Sequence, residues 1–317
     1  MEEMDDFEKK VTVIIPTYKR SWKFLNRALN SVQRQTYKNL EIIVIDDSPD
    51  VYEFRLDIVN HMQDVCKSDK RVKYLMNKKN LGGSLARNRG IEIASGDYVT
   101  FLDDDDEYLP DKIMRQVKFM KESNCDLSFE SLTMYSIDGQ VVDFREFQDI
   151  ESYDKEYLLK YHLMKHMTGT PTFMFKSDSL RYIGGFEDVK MGQEFYLMLK
   201  AIEKDLQIRY LPVCDVKCYK HGEGVTHGKN KIDGEKHLYQ FKQKYFDRLG
   251  KKEICFIRFR HYAVMVVAYI RNKQYYMLPA AVIKAFISSP EDFFQQVTGF
   301  FIKVVKKRRI KNCDAIM

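Results

Sequence analysis

The stretch VTVIIPTYKRSWKFLNRALNSVQRQTYKNLEIIVIDDSPD, residues 11–50, holds two unbroken apolar runs, VTVII (11–15) and LEIIVID (40–46), on either side of a segment with helical spacing at 22–35. An apolar run of strand length with no polar alternation is what a strand buried on both faces requires. A parallel partner for such a strand can be reached only through a crossover of about a dozen residues or more, which the intervening helix supplies. The stretch therefore reads as a strand, helix, strand unit of a parallel sheet.

The same alternation continues outward. RVKYLM (71–76) and DYVTFL (97–102) are two more buried-strand candidates. Residues 51–66 and 82–95 have helical character, the second stopped by Gly96. The expected fold class is α/β, a mostly parallel sheet with helices on both faces. In such sheets ligands bind beyond the carboxyl ends of the strands.

At those ends lie PTYKR (16–20), DDSPD (46–50), NKKNLGG (77–83) and DDDD (103–106). Arg87, one helical turn past Gly83, can reach back over the same edge. Taken singly, each piece has an ordinary role: a capped turn, a surface cation, or charges complementing the dipole of a helix that begins near Pro110, worth under ~1 kcal/mol each. Four polar turns at one sheet edge are better explained together. Carboxylates supply hard oxygen ligands for a metal, and a guanidinium supplies a planar donor fork for phosphate, so the set suits a metal-bound diphosphate.

VIIPTYKR, VIDDSPD, NLGGSLARNRGI and FLDDDDEYLP, in this order and spacing, resemble the nucleotide-sugar-binding half of a family 2 glycosyltransferase of the GT-A, Rossmann-like fold, over roughly residues 11–225. The resemblance implies that the acidic run is a DXD-type site in which Asp103 and Asp105 hold Mn²⁺ or Mg²⁺ and the ribose-diphosphate of a UDP-sugar donor, with Asp104 beside them. Because four aspartates are adjacent, a register of Asp104 and Asp106 is the alternative. Pro16, Thr17, Tyr18 and Arg20 would line the nucleoside pocket, Asp47 would accept a hydrogen bond from the base, and Asn80 and Arg87 would complete it. IGGFEDVKMGQEFYLMLKAIE (183–203) is similar to the family's GGF turn and the helix whose leading acid deprotonates the acceptor hydroxyl. That acid is Glu194 here, in a Gln193–Glu194 pair where the family's usual residue is Asp. His221 is the candidate third metal ligand by the same resemblance, with His227 as competitor, and imidazole suits Mn²⁺ better than Mg²⁺.

The implied activity is inverting, metal-dependent transfer of a sugar to a hydroxyl of a glycan acceptor, such as a lipid-linked precursor of a bacterial surface polysaccharide. A nucleotidyltransferase is the rival enzyme, although no phosphate-cradling lysine motif is found, and a non-catalytic transferase subunit is the rival outside catalysis. No nucleic-acid partner is expected, and a homo-oligomer is left open.

Residues 1–250 read as the catalytic domain and 251–317 as a basic helical tail. The tail holds 13 Lys/Arg against 4 Asp/Glu, a net +9, which leaves 6 − 9 = −3 for the body. Helices are expected at 254–271, 275–289 and 292–311, the last ending in KKRRIK. Apolar faces beside lysine and arginine fit a helix lying on an anionic membrane surface. The start, MEEMDDFEKK, has neither a basic nor an apolar signal region, so the expected location is cytoplasmic, at the inner face of the cell membrane. Six scattered cysteines without metal-site spacing read as reduced thiols.

Overall fold

The computed structural model describes residues 9–136, 138–220 and 229–298. The described residues form two compact units, the first running to His162 and from 166 to 220, the second holding 163–165 and 229–298.

In the first unit β1 (Val11–Thr17), β2 (Leu40–Asp46), β3 (Val72–Met76) and β4 (Tyr98–Phe101) alternate with α1 (Trp22–Gln33), α2 (Arg55–Ser68) and α3 (Gly83–Ile93). β5 (Glu107–Tyr108) and α4 (Lys112–Ser123) follow the acidic run. Beyond them come β6 (Leu127–Glu130), β7 (Leu132–Ser136), β8 (Val141–Arg145), α5 (Lys155–Lys165), β9 (Met174–Lys176), α6 (Ser177–Tyr182), α7 (Gln193–Glu203), β10 (Ile208–Leu211) and β11 (Val216–Lys220).

The main sheet has the order β10-β6-β9-β4-β1-β2-β3. β1 runs parallel to both neighbours, with Ile14 opposite Ile43 on β2 and Phe101 on β4. β9 is antiparallel to β4 and β6, which makes the sheet mixed. Every residue of β2 is buried, and so is every residue of β1 except Pro16, as the unbroken apolar runs require.

Pro16 lies inside a central strand, where its missing N–H ought to break a ladder. The Ile14 carbonyl accepts from the Leu102 N–H on the β4 side. Pro16 has the same parity and faces that side too, beyond the last β1–β4 pair at Ile14 and Phe101. The proline thus sits where β4 has already turned off into the acidic run, and no strand bond is lost. Helix α3 packs closely on this strand because residue 90 is glycine; a Cβ there would come within 2.6 Å of Ile14 Cγ2.

A second sheet, β5-β11-β7-β8, backs the acidic run, with β11 antiparallel to β5 and parallel to β7. In the second unit α8 (Lys229–Gln243), α9 (Lys251–Arg271) and α10 (Leu278–Ser288) are followed by a helical stretch at 290–298. The unit thus takes in α8, which lies before the boundary expected at 250. The expected final helix is described only as far as residue 298. Cys66, Cys125, Cys214, Cys218 and Cys255 are free thiols.

Candidate active site

The polar turns do gather at the carboxyl edge of β1, β2, β3 and β4. β2 delivers Asp47, whose N–H donates to the Thr17 carbonyl at 2.8 Å, so the turns after β1 and β2 are tied together. The buried Asp47 carboxylate accepts from Asn77 Nδ2 at 2.7 Å, the Leu81 N–H at 2.8 Å and the Gly82 N–H at 2.7 Å. It therefore pins the NKKNLGG turn. Asn80 is exposed, and its Oδ1 accepts from the Gly82 N–H at 2.9 Å. Next to Asp47, Asp46 accepts from the Ser48 N–H at 2.9 Å and the Tyr74 hydroxyl at 2.6 Å.

The four aspartates alternate in direction. Asp104 and Asp106 are buried, whereas the side chains of Asp103 and Asp105 keep 36% and 18% exposure. Asp104 accepts from the Thr17 hydroxyl at 2.7 Å and from Arg20 Nε at 3.0 Å. Arg20 also spans to Asp105 through Nη2 at 2.9 Å. Burial lifts the Asp104 carboxyl to about 6 against the opposing pull of Arg20. Asp106 is raised well above the usual carboxylate range by burial and by Asp103 and Asp105, and it accepts from the Cys218 thiol and, at 2.9 Å, from the Tyr219 N–H. The run tolerates its own repulsion because burial favours the neutral form of Asp106, Arg20 pairs with Asp104 and Asp105, and Arg87 pairs with Asp103.

Arg27, from α1, supports the run from outside. Its guanidinium donates to the Asp105 carbonyl, lies 3.2 Å from Glu107 and stacks 4.0 Å over the Tyr219 ring. The Tyr219 hydroxyl donates to Glu107 at 2.9 Å. Sequence reasoning missed Arg27, since it falls outside every motif and looks like an ordinary polar position of an amphipathic helix.

Arg87 joins the two halves of the site. Its buried guanidinium donates to Asp103 Oδ1, to the Gly83 carbonyl at 3.2 Å and to Gln193 Oε1 at 2.8 Å. The ring of Phe186, from the GGF turn, lies 5.4 Å from it. Gln193 opens α7 behind Gly192, whose φ of +77° is a left-handed turn that glycine adopts freely. Glu194 is the second residue of that helix, half-buried, one position from the side chain that Arg87 holds. Helix α7 is thereby tied to the acidic run.

Of the remaining candidates, Pro16 is half-buried and Thr17 buried at the end of β1, and on the turn that follows Tyr18 is exposed and Arg20 half-buried. His221 and His227 lie outside the described residues. Among the described residues no three His, Cys, Asp or Glu side chains are grouped to hold a metal ion. Asp103 and Asp105 are nevertheless oxygen donors of the kind that Mg²⁺ or Mn²⁺ accepts when substrate phosphates and water complete the shell, and to that extent the residues present fit such a cation.

Fold and sheet edge together define an α/β protein of the GT-A type. One neighbour, S. aureus TarS in complex with UDP-GlcNAc, superposes with a TM-score of 0.55 at 19% identity, covering 87% of this chain and 72% of that one. The chain belongs to glycosyl transferase family 2, whose model matches residues 12–182. An uncharacterized glycosyltransferase of Methanocaldococcus jannaschii is 31% identical over 195 residues, 62% of this chain and 65% of that protein. The GalNAc(5)-diNAcBac-PP-undecaprenol beta-1,3-glucosyltransferase of Campylobacter jejuni is 31% identical over 194 residues, 59% of this chain and 56% of that protein. The chain thus spans less than two thirds of the length of either relative.

Proposed function

We propose that the protein is an inverting, metal-dependent glycosyltransferase that moves a sugar from a UDP-sugar to a hydroxyl of a glycan acceptor, a lipid-linked precursor of a bacterial surface polysaccharide. The observation that carries the reading is the Arg87 fork, which ties Asp103 of the acidic run to Gln193, the residue before Glu194 at the head of α7. Family membership supports the reaction class. The UDP-GlcNAc complex of TarS supports the donor class, and the undecaprenol-linked name of the Campylobacter relative supports the acceptor class.

In this reading Glu194 takes the proton of the acceptor hydroxyl as its oxygen attacks the anomeric carbon. The bond from that carbon to the diphosphate breaks, and UDP leaves with the electron pair. A positioned carboxylate of this kind is worth on the order of 10²–10⁴-fold in rate. Asp103 and Asp105 would hold the cation, which neutralises charge on the departing diphosphate when bound. The greater exposure of these two side chains favours them over Asp104 and Asp106. Arg87 and Arg20 orient the acidic run, and Asp47 holds the turn after β3 open at the base end. The enzyme would work at the inner face of the cell membrane, its basic tail drawn to anionic lipid.

Incubation with a panel of UDP-sugars and a lipid-linked acceptor, with and without Mn²⁺, tests the proposal. Release of UDP with a glycosylated product is expected. Release of pyrophosphate would replace it with nucleotidyl transfer, and release of neither would remove the catalytic reading.

A further inference from the structure

Helix α10, LPAAVIKAFIS, carries a single charge, Lys284, and is apolar nearly all the way round. A helix of that composition belongs in a core. It buries only its small-residue side: Ala281 packs in one cluster with Met265, Ala268 and Tyr269 of α9, and Ala285, one turn on, is buried as well. Ile283 and Ile287, about 200° round the helix from that stripe at 100° per residue, are 57% and 71% exposed. Val282, Phe286 and, beyond the helix, Phe294 extend the same apolar surface, and Phe286 packs edge-on against Phe293 and Phe294. Tyr276, 79% exposed, stands at the start of the helix. A contiguous exposed apolar face of this kind marks an interaction site.

We infer that this face of α10 is a membrane-docking surface that lies in the headgroup region of an anionic bilayer; the inference rests on the proposed membrane-held acceptor. Length excludes a spanning role. Eleven residues rise about 16 Å, against the ~30 Å of a hydrocarbon core, and among the described residues no helix is long and apolar enough to cross a membrane. Charge selects the occupant. Residues 251–317 carry 13 Lys/Arg and 4 Asp/Glu, and the sequence that follows α10 includes KKRRIK at 306–311. Two copies of this chain meeting face to face would bring two such cationic segments together, whereas anionic lipid neutralises them. Arg271, Lys273 and Lys284 flank the apolar residues. The nearby acids are Glu291 and Asp292, and Asp292 is engaged by the Ser289 hydroxyl at 2.6 Å. Tyr275 and Tyr276 are amphipathic side chains of the type that settles at a membrane–water interface.

The test is co-sedimentation of the full chain with vesicles of phosphatidylglycerol and phosphatidylcholine, compared with phosphatidylcholine alone. Binding to the anionic vesicles is expected, falling about tenfold or more in Ile283→Asp/Ile287→Asp, a double variant whose side chains point to solvent and leave the fold alone. Undiminished binding by the variant, or equal binding to neutral vesicles, would overturn the inference. So would sedimentation of the lipid-free protein as a dimer that the variant makes monomeric, because a second copy would then cover the face. UDP release with a short soluble acceptor is measured in parallel. Turnover without vesicle binding refutes only the docking surface, and vesicle binding without turnover refutes only the proposed reaction.

Discussion

Replacing Asp47 with alanine tests whether this residue builds the site as well as lining it. The carboxylate accepts three hydrogen bonds, from Asn77 Nδ2 and the N–H groups of Leu81 and Gly82. Asn77 is buried, and losing its charged acceptor costs about 1.5 kcal/mol; Leu81 and Gly82 are less buried, so water replaces part of theirs, at about 1 kcal/mol each. The three share one side chain and are not additive, so the total is roughly 2–4 kcal/mol. For a unit of this size that lowers Tm by about 4–12 °C. Thermal unfolding of the ligand-free protein reads it directly, and UDP titration should show weaker binding because the turn after β3 is no longer pinned. An unchanged ligand-free Tm with weakened UDP binding would refute the reasoning and leave Asp47 as a ligand contact only.

Asp105→Asn should abolish Mn²⁺-supported transfer and weaken UDP binding while the fold is retained, and EDTA should stop the wild-type reaction; a fully active Asp105→Asn beside an inactive Asp106→Asn would shift the register by one. Arg27→Ala removes the stack on Tyr219 and the bond to the Asp105 carbonyl, so UDP affinity in Mn²⁺ should fall roughly tenfold with little change in far-UV circular dichroism. A third expectation concerns the buried Glu130, which burial pushes up to about 8 against the pull of Lys112, itself lowered to about 8. Between the unfolded carboxyl pKa of about 4.5 and the folded value, the native state binds the extra proton, so Glu130 costs stability increasingly as pH rises through that window. Denaturant titrations at several pH values should therefore show Glu130→Gln gaining on the wild type from about pH 5 to 8; a flat difference would mean that Glu130 is ionised throughout.

The first half of the fold was legible because buried parallel strands leave unbroken apolar runs and the crossovers between them carry helical spacing. Runs 11–15, 40–46, 71–76 and 97–102 lie on β1, β2, β3 and β4 to within two residues. The second sheet was not legible. β5 is two residues long, and its partner β11 is more than a hundred residues away, so no local pattern records the pairing. The antiparallel β9 is three residues long and takes its direction from its neighbours β4 and β6. At the sheet edge, the motifs pointed to the turns but not to their internal wiring. Four identical aspartates carry no sign of which face inward; that is set by Thr17 and Arg20 from a different turn. The contact from Arg87 to Gln193 spans 106 positions and exists only once the sheet has formed.

Single-turnover kinetics of Glu194→Gln, measured beside UDP binding, tests the proposed role of Glu194 as the base at a UDP-sugar site. Glutamine keeps the length and shape of the side chain but accepts no proton. The single-turnover rate should fall by on the order of 10²-fold or more while the UDP dissociation constant is nearly unchanged, with Glu194→Asp recovering part of the rate. Sugar transfer by Glu194→Gln at the parental rate would contradict it.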